Sequence, residues 1–267
     1  MTTSTTAVDS GYLPVQGMQL YYESRGEGGV PLVVVHGGFG LTSMFGDLLD
    51  RLAEGRRVIA VELQGHGHTA DVDRPFTWEG FGDDLAAVVT GLDLGQADLL
   101  GYSLGAGACL RAAIQHPDLV RRLVVVAAPC RREGHFPDVV RGLDQVGDSY
   151  EMMRSSPMYD MYAAVAPDVD GFAALVAKTG ALLRVPFDWT DDVRGLPMPV
   201  MLVFGDADCV PPAHAAEFFA LLGGGRADGG WDRSGVTPHR LAVLPGTTHY
   251  ELGTDPRLVA AVVPFLE

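Results

Sequence analysis

Basic residues are scarce in this 267-residue chain: 19 Lys and Arg stand against 34 Asp and Glu, a formal charge of −15 with neutral histidines. Without basic clusters to neutralise phosphates, nucleic acid and anionic membranes are excluded as partners. The three cysteines, Cys109, Cys130 and Cys209, are unclustered and odd in number, so they form neither a disulfide framework nor a zinc site. No run of about 18 apolar residues is present to span a bilayer. The Thr-rich stretch 1–10 has no apolar segment, so no secretory leader is expected and a cytoplasmic location is the default. Internal repeats and low-complexity tracts are also missing. What is there is globular: 47% hydrophobic and 20% charged residues, ample for a sizeable core.

The pattern alternates short β-branched runs with helical spacing. A strand is expected at 18–26, ending in the Gly-rich turn 26–29. The wholly apolar run at 32–36 fits a strand buried on both faces of a parallel sheet. A helix is expected over 42–54 (Met44, Leu48, Leu49, Leu52), a strand at 57–62, and a helix capped by Thr77 and running to about residue 91. Strands at 98–102, 122–128, 200–205 and 240–244 alternate with helices at 104–116, 213–222 and 256–266. This alternation implies a mostly parallel central sheet with helices on both faces.

Two stretches break the rhythm. Residues 129–198 separate two sheet strands that a single helix could join, and they are rich in Met and aromatics. The segment reads as a helical cap inserted into a core built from 1–128 and 199–267. Its Met153, Met158, Tyr159 and Tyr162 are candidates for an adaptable apolar pocket, although ordinary helix packing accounts for them equally well. Residues 223–239, with Gly-Gly-Gly and Gly-Gly-Trp, suit a surface loop better than a phosphate cradle.

Gly101-Tyr102-Ser103-Leu104-Gly105 lies between an expected strand and an expected helix. A serine on so sharp a turn needs neighbours without side chains, and the turn lifts its hydroxyl clear of the sheet. The N–H of Leu104 then faces the place where an oxyanion would form, at a helix N-terminus that favours negative charge. A glycine-rich turn capped by serine is the plainer reading. Against it, Asp206 and Asp208 follow the strand ending at Gly205 and His249 follows the strand at 240–244. All three elements meet at the carboxyl edge of a parallel sheet, in the order Ser, Asp, His. His36-Gly37-Gly38-Phe39-Gly40, after the strand at 32–36, can offer a second N–H.

With those residues in place, the chain resembles the α/β-hydrolase fold family of the serine-nucleophile type. The likeness extends over nearly the whole chain, through 36–40, Gly65-His66-Gly67, 101–105, 205–208 and His249. The resemblance implies Ser103 as nucleophile, His249 as base and Asp208 as acid, with Asp206 as the alternative. It implies an oxyanion hole from Leu104 and Gly38, with Phe39 next in line, and a structural role for His36. Phe39 and Tyr102 join the cap residues as expected substrate contacts. Glu133, which in some relatives' positions would be the acid, reads as a surface charge. His66 and His68 read as an exposed turn and not as metal ligands. A serine here differs from the Asp of halide-releasing and epoxide-opening relatives and the Cys of dienelactone-type ones.

The implied activity is cofactor-free acyl transfer to water on a small or medium, largely apolar ester or lactone, with no metal. Carbon–carbon bond hydrolases and cofactor-free perhydrolases use the same triad, and some members of the fold are non-catalytic ligand receptors. A dinucleotide-binding reading of Gly38-Phe39-Gly40 with Glu62 on a ribose is weaker, since Ser43 stands where a third glycine belongs and a strand precedes the supposed first one. Oligomeric state is not legible.

Overall fold

The computed structural model describes residues 8–267; the leader expectation for 1–10 falls largely on 1–7, outside the described residues. Eight strands form one sheet: β1 (Asp9–Val15), β2 (Met18–Arg25), β3 (Leu32–Val35), β4 (Val58–Val61), β5 (Ala97–Tyr102), β6 (Val120–Val126), β7 (Val200–Ala207) and β8 (Arg240–Thr248). Their spatial order is β1-β2-β4-β3-β5-β6-β7-β8. The first two pairings, β1 with β2 and β2 with β4, are antiparallel and all others parallel.

The first strand expected from the sequence is that at 18–26, and β1 precedes it. The hairpin turns on Gln16 (φ 43°) and Gly17 (φ 87°), the two successive positive angles that a tight antiparallel connection requires. No apolar run marks β1 in the sequence, because its residues alternate in exposure at the sheet edge and the Gln-Gly turn is its one signal. The expected helix over 42–54 is also split. A 3-10 turn at Thr42–Phe45 ends at Gly46 (φ 52°), and α1 (Leu48–Leu52) follows.

On each central strand, successive side chains feed two different apolar layers. Val33, Val35, Ile59, Val61, Leu99 and Val125 enter the layer under α2 (Trp78–Gly91) and α3 (Leu104–Gln115). Leu32, Val34, Val58, Ala60, Leu100 and Val124 enter the opposite layer with α1 and α10 (Pro256–Leu266). This two-residue alternation is why the runs are apolar throughout. Thr77 caps α2 by accepting from the Gly80 N–H at 2.9 Å.

Between β6 and β7 come α4 (Pro137–Gln145), α5 (Tyr150–Met153), α6 (Pro157–Ala163), α7 (Phe172–Arg184) and α8 (Thr190–Arg194). Phe172, Leu175, Val176 and Leu182 of α7 belong to the same apolar layer as α2 and α3, so the inserted helices share a core with the sheet. Lys178 fastens α7 to the loop after β4 through Asp71 and Val72 O, both at 2.7 Å. After β7, α9 (Pro212–Leu221) leads into the exposed loop 223–239. No helix among the described residues is long and apolar enough to cross a membrane.

Candidate active site

Ser103 joins β5 to α3 with φ 55° and ψ −119°, a conformation that costs a side-chain-bearing residue about 1–3 kcal/mol. Its surroundings hold it there: the Ser103 N–H donates to Val126 O at 2.8 Å, and its carbonyl accepts from Ala106 and Gly107. The flanking glycines answer to close backbone. A Cβ on Gly101 would lie 2.2 Å from Gly105 O, and one on Gly105 would lie 2.3 Å from His36 O.

His249 arrives just past β8. Its Nε2 is 3.0 Å from Ser103 Oγ and its Nδ1 is 2.8 Å from Asp208 Oδ1. With Nδ1 donating to the carboxylate, Nε2 is free to accept the serine proton. Asp208 also accepts from the Cys209 N–H (2.7 Å) and the Gly205 N–H (3.4 Å). Burial alone would raise its pKa, but His249 and these donors reverse that and leave it below the ordinary carboxylate value. Asp206 points elsewhere: its Oδ1 accepts from the Gly246 and Thr247 N–H groups and pins the turn that delivers His249.

Tyr102 has a different place from the one expected of it. It is buried and absent from the cavity wall; its ring lies 5.5 Å from that of His249 and its hydroxyl donates to His249 O at 2.6 Å. Both contacts are with His249.

Leu104 opens α3, so its N–H has no partner within the helix. Gly38 packs beside it, since a Cβ there would be 3.6 Å from Leu104 Cδ1, and Phe39 bends the loop with φ 59°. Behind that loop His36 is fully buried. Its Nε2 accepts the Leu63 N–H at 3.1 Å, so Nδ1 carries the proton and faces Gly37 O at 2.7 Å. Burial pushes its pKa down to about 3.

The exposed turn expected at His66 and His68 is corrected. His66 is fully buried against His36 and Phe76, and its pKa falls to about 4, mainly through burial. His68 is half-buried on Glu62, which is itself fully buried and accepts from Thr42 N, Thr42 Oγ1, His68 N and faces His68 Nδ1. So enclosed, Glu62 cannot reach a ribose, which removes the dinucleotide reading. Glu133 is exposed beyond β6.

A cavity of about 260 Å³ opens above Ser103. Gly38, Phe39, Ser103, Leu104, Met158 and His249 line it, whereas Met153, Tyr159 and Tyr162 do not. Tyr159 and Tyr162 instead gather on Phe172 at 5.0 and 5.2 Å, the inserted helices' own packing, and Met153 is buried in the same layer. The walls that sequence reasoning missed are Trp78, Arg132, His135, Leu143, Thr179, Cys209 and Tyr250. Residues 127–135 lead away from the carboxyl end of β6, the same edge that carries Ser103, and that position was the available signal.

Asp208, Cys209 and His249 are also the group of donors that could hold a metal ion, with ligand atoms within 4.8 Å of one another. Nδ1 and Oδ1 already satisfy each other in that group. Burial and the neighbouring carboxylate push the Cys209 thiol well up, so it stays protonated.

A serine on a strained strand-to-helix turn, a histidine and a buried aspartate at one edge of a mostly parallel sheet are the arrangement of an α/β hydrolase. The sequence model of the Alpha/beta hydrolase family matches residues 32–262, and the chain belongs to that family. It is 31% identical over 205 residues to a pimeloyl-[acyl-carrier protein] methyl ester esterase of Neisseria meningitidis, covering 69% of this chain and 78% of that protein. It is 37% identical over 122 residues to a 2-hydroxymuconate semialdehyde hydrolase of Pseudomonas sp., covering 44% and 42%. Among solved structures, an E-2-(acetamidomethylene)succinate hydrolase superposes with a TM-score of 0.77 at 23% identity, over 97% of this chain and 99% of that one.

Proposed function

We propose that the chain is a serine hydrolase that cleaves a small carboxylic ester or lactone through an acyl-enzyme on Ser103. The observation that carries this reading is the continuous relay from Ser103 Oγ through His249 to Asp208, at 3.0 and 2.8 Å. His249 takes the serine proton as Oγ attacks the carbonyl. The oxyanion forms against the Leu104 N–H and that of Gly38 or Phe39, where one donor is worth roughly 2.7–4 kcal/mol. His249 then protonates the leaving alcohol, and water, activated by the same imidazole, releases the acid. The esterase relative supports a carboxylic ester as the bond cleaved.

The 2-hydroxymuconate semialdehyde hydrolase likeness favours one second reading, hydrolysis of a carbon–carbon bond by the same residues. A panel of p-nitrophenyl esters, lactones and vinylogous diketones, run beside Ser103→Ala, tests both. Turnover of esters that the alanine variant loses by at least about 10³-fold supports the proposal. A near-wild-type rate in the variant overturns the nucleophile assignment, and cleavage of the diketones alone moves the reading to carbon–carbon chemistry. Turnover of nothing, with Ser103 unlabelled by a serine-directed phosphonate, leaves a receptor.

A further inference from the structure

The wall of the cavity above Ser103 is mostly apolar, and its one guanidinium is that of Arg132. Arg132 sits in the 3-10 turn Arg132–Gly134 just past β6 and is 9% exposed. It is held on two sides: Nε donates to Leu183 O at 2.9 Å, and Nη2 pairs with Asp144 Oδ1. Nη1 has no protein acceptor among the described residues. Asp144 is half exposed, so water screens the charge it returns to the arginine. A guanidinium so little exposed, with one donor lacking a protein acceptor, gains a charge-assisted hydrogen bond when an anion comes to it.

Thr179 supplies an independent observation. It lies one turn before Leu183 on α7, hence on the same helix face, and it lines the same cavity. It is 1% exposed and its Oγ1 has no hydrogen-bond partner. A helical threonine ordinarily bonds back to a carbonyl one turn earlier. Here the hydroxyl is unused, in the wall of the cavity that Arg132 also lines.

We propose that Arg132 Nη1 and Thr179 Oγ1 form an anion subsite, and that the substrate carries a carboxylate on its acyl part, a few carbons from the scissile carbonyl. The proposal rests on the hydrolase reading above and names its substrate class: a half-ester of a short dicarboxylic acid, or the matching lactone acid. The acyl part is the one that reaches the subsite. The leaving group departs past His249 and Tyr250, which is 82% exposed, whereas Arg132 and Thr179 are buried. A cavity of about 260 Å³ is small beside common ligand pockets, which limits the acid to a short chain. In a chain of charge −15, a site that holds an anion needs such a local cation.

The test compares kcat/KM for mono-p-nitrophenyl glutarate and p-nitrophenyl pentanoate, which share chain length and leaving group. Wild type favours the glutarate by about tenfold or more, and Arg132→Gln lowers that ratio by about 10–100-fold, the worth of one charge-assisted hydrogen bond. Asp144→Asn, which frees the guanidinium from its other carboxylate, raises the ratio; it also keeps the proposal testable if Arg132→Gln fails to fold. Equal kcat/KM for the two esters in wild type, or a ratio unmoved in both variants, overturns the subsite while leaving the hydrolase reading standing. Inertness towards both esters, with Ser103 unlabelled by a phosphonate, overturns both.

Discussion

Two aspartates stand two residues apart at the end of β7, and their hydrogen bonds assign them different work. Asp208 faces His249 Nδ1 from a buried position, while Asp206 ties Gly246 and Thr247 from an exposed one. Asp208→Asn should therefore present the wrong partner to the imidazole and lower kcat on esters by about 10³–10⁴-fold, the scale of the same exchange in serine proteases. Asp206→Asn keeps an acceptor for the turn and should stay within about tenfold of wild type. Steady-state kinetics on one ester decide it, and comparable losses in the two variants would remove Asp208 from its special place.

At the scale of elements, the turn from β5 into α3 concentrates the site's strain, and its glycines can be tested. A methyl on Gly101 would sit 2.2 Å from Gly105 O and 2.5 Å from Ala106, all backbone that cannot swing aside. Gly101→Ala should cost several kcal/mol, roughly 2–4 on the scale of overpacking and strain, read as a lower urea midpoint. A midpoint within error of wild type would mean the elbow is looser than its geometry. This turn was legible because a rigid motif has to be written in glycine. So were the buried strands, where apolar runs follow from two-sided burial, and the helix behind Thr77. The missed pieces lacked such compulsion. β1 is a half-exposed edge strand whose signal is a Gln-Gly turn. The pocket-lining residues of the inserted stretch were not separable from its packing residues, because Met and aromatic side chains serve both: Met158 lines the cavity, while Tyr159 and Tyr162 ring Phe172. Order and strand position make Ser103, His249 and the pair Asp206 and Asp208 candidates, since a parallel sheet delivers all its carboxyl ends to one edge, and the preference for Asp208 comes from the family resemblance.

For the molecule as a whole, the buried imidazoles link folding to pH. His36 and His66 lie with ring centres 4.9 Å apart behind the loop that follows β3, both fully buried, with pKa values pushed down to about 3 and about 4. In the unfolded chain each titrates near 6.5. The sign follows: as pH falls below 6.5 the unfolded chain takes up protons that the native protein refuses, so stability declines until the native histidines themselves protonate near 4 and 3. Between pH 5.5 and 4.5 the pair alone contributes a slope of nearly two protons, about 2.5 kcal/mol per pH unit. Asp84 and Asp98, whose burial raises their pKa, act in the opposite direction, so the measured slope is a sum. A difference isolates the term. His66→Asn can keep the donor to Gln64 O while removing the titration. Urea midpoints taken through this interval should then lose about one proton of slope relative to wild type, whatever the variant's stability at neutral pH. An unchanged slope would mean that His66 charges inside the folded protein, and the packing behind the loop after β3 would need another account.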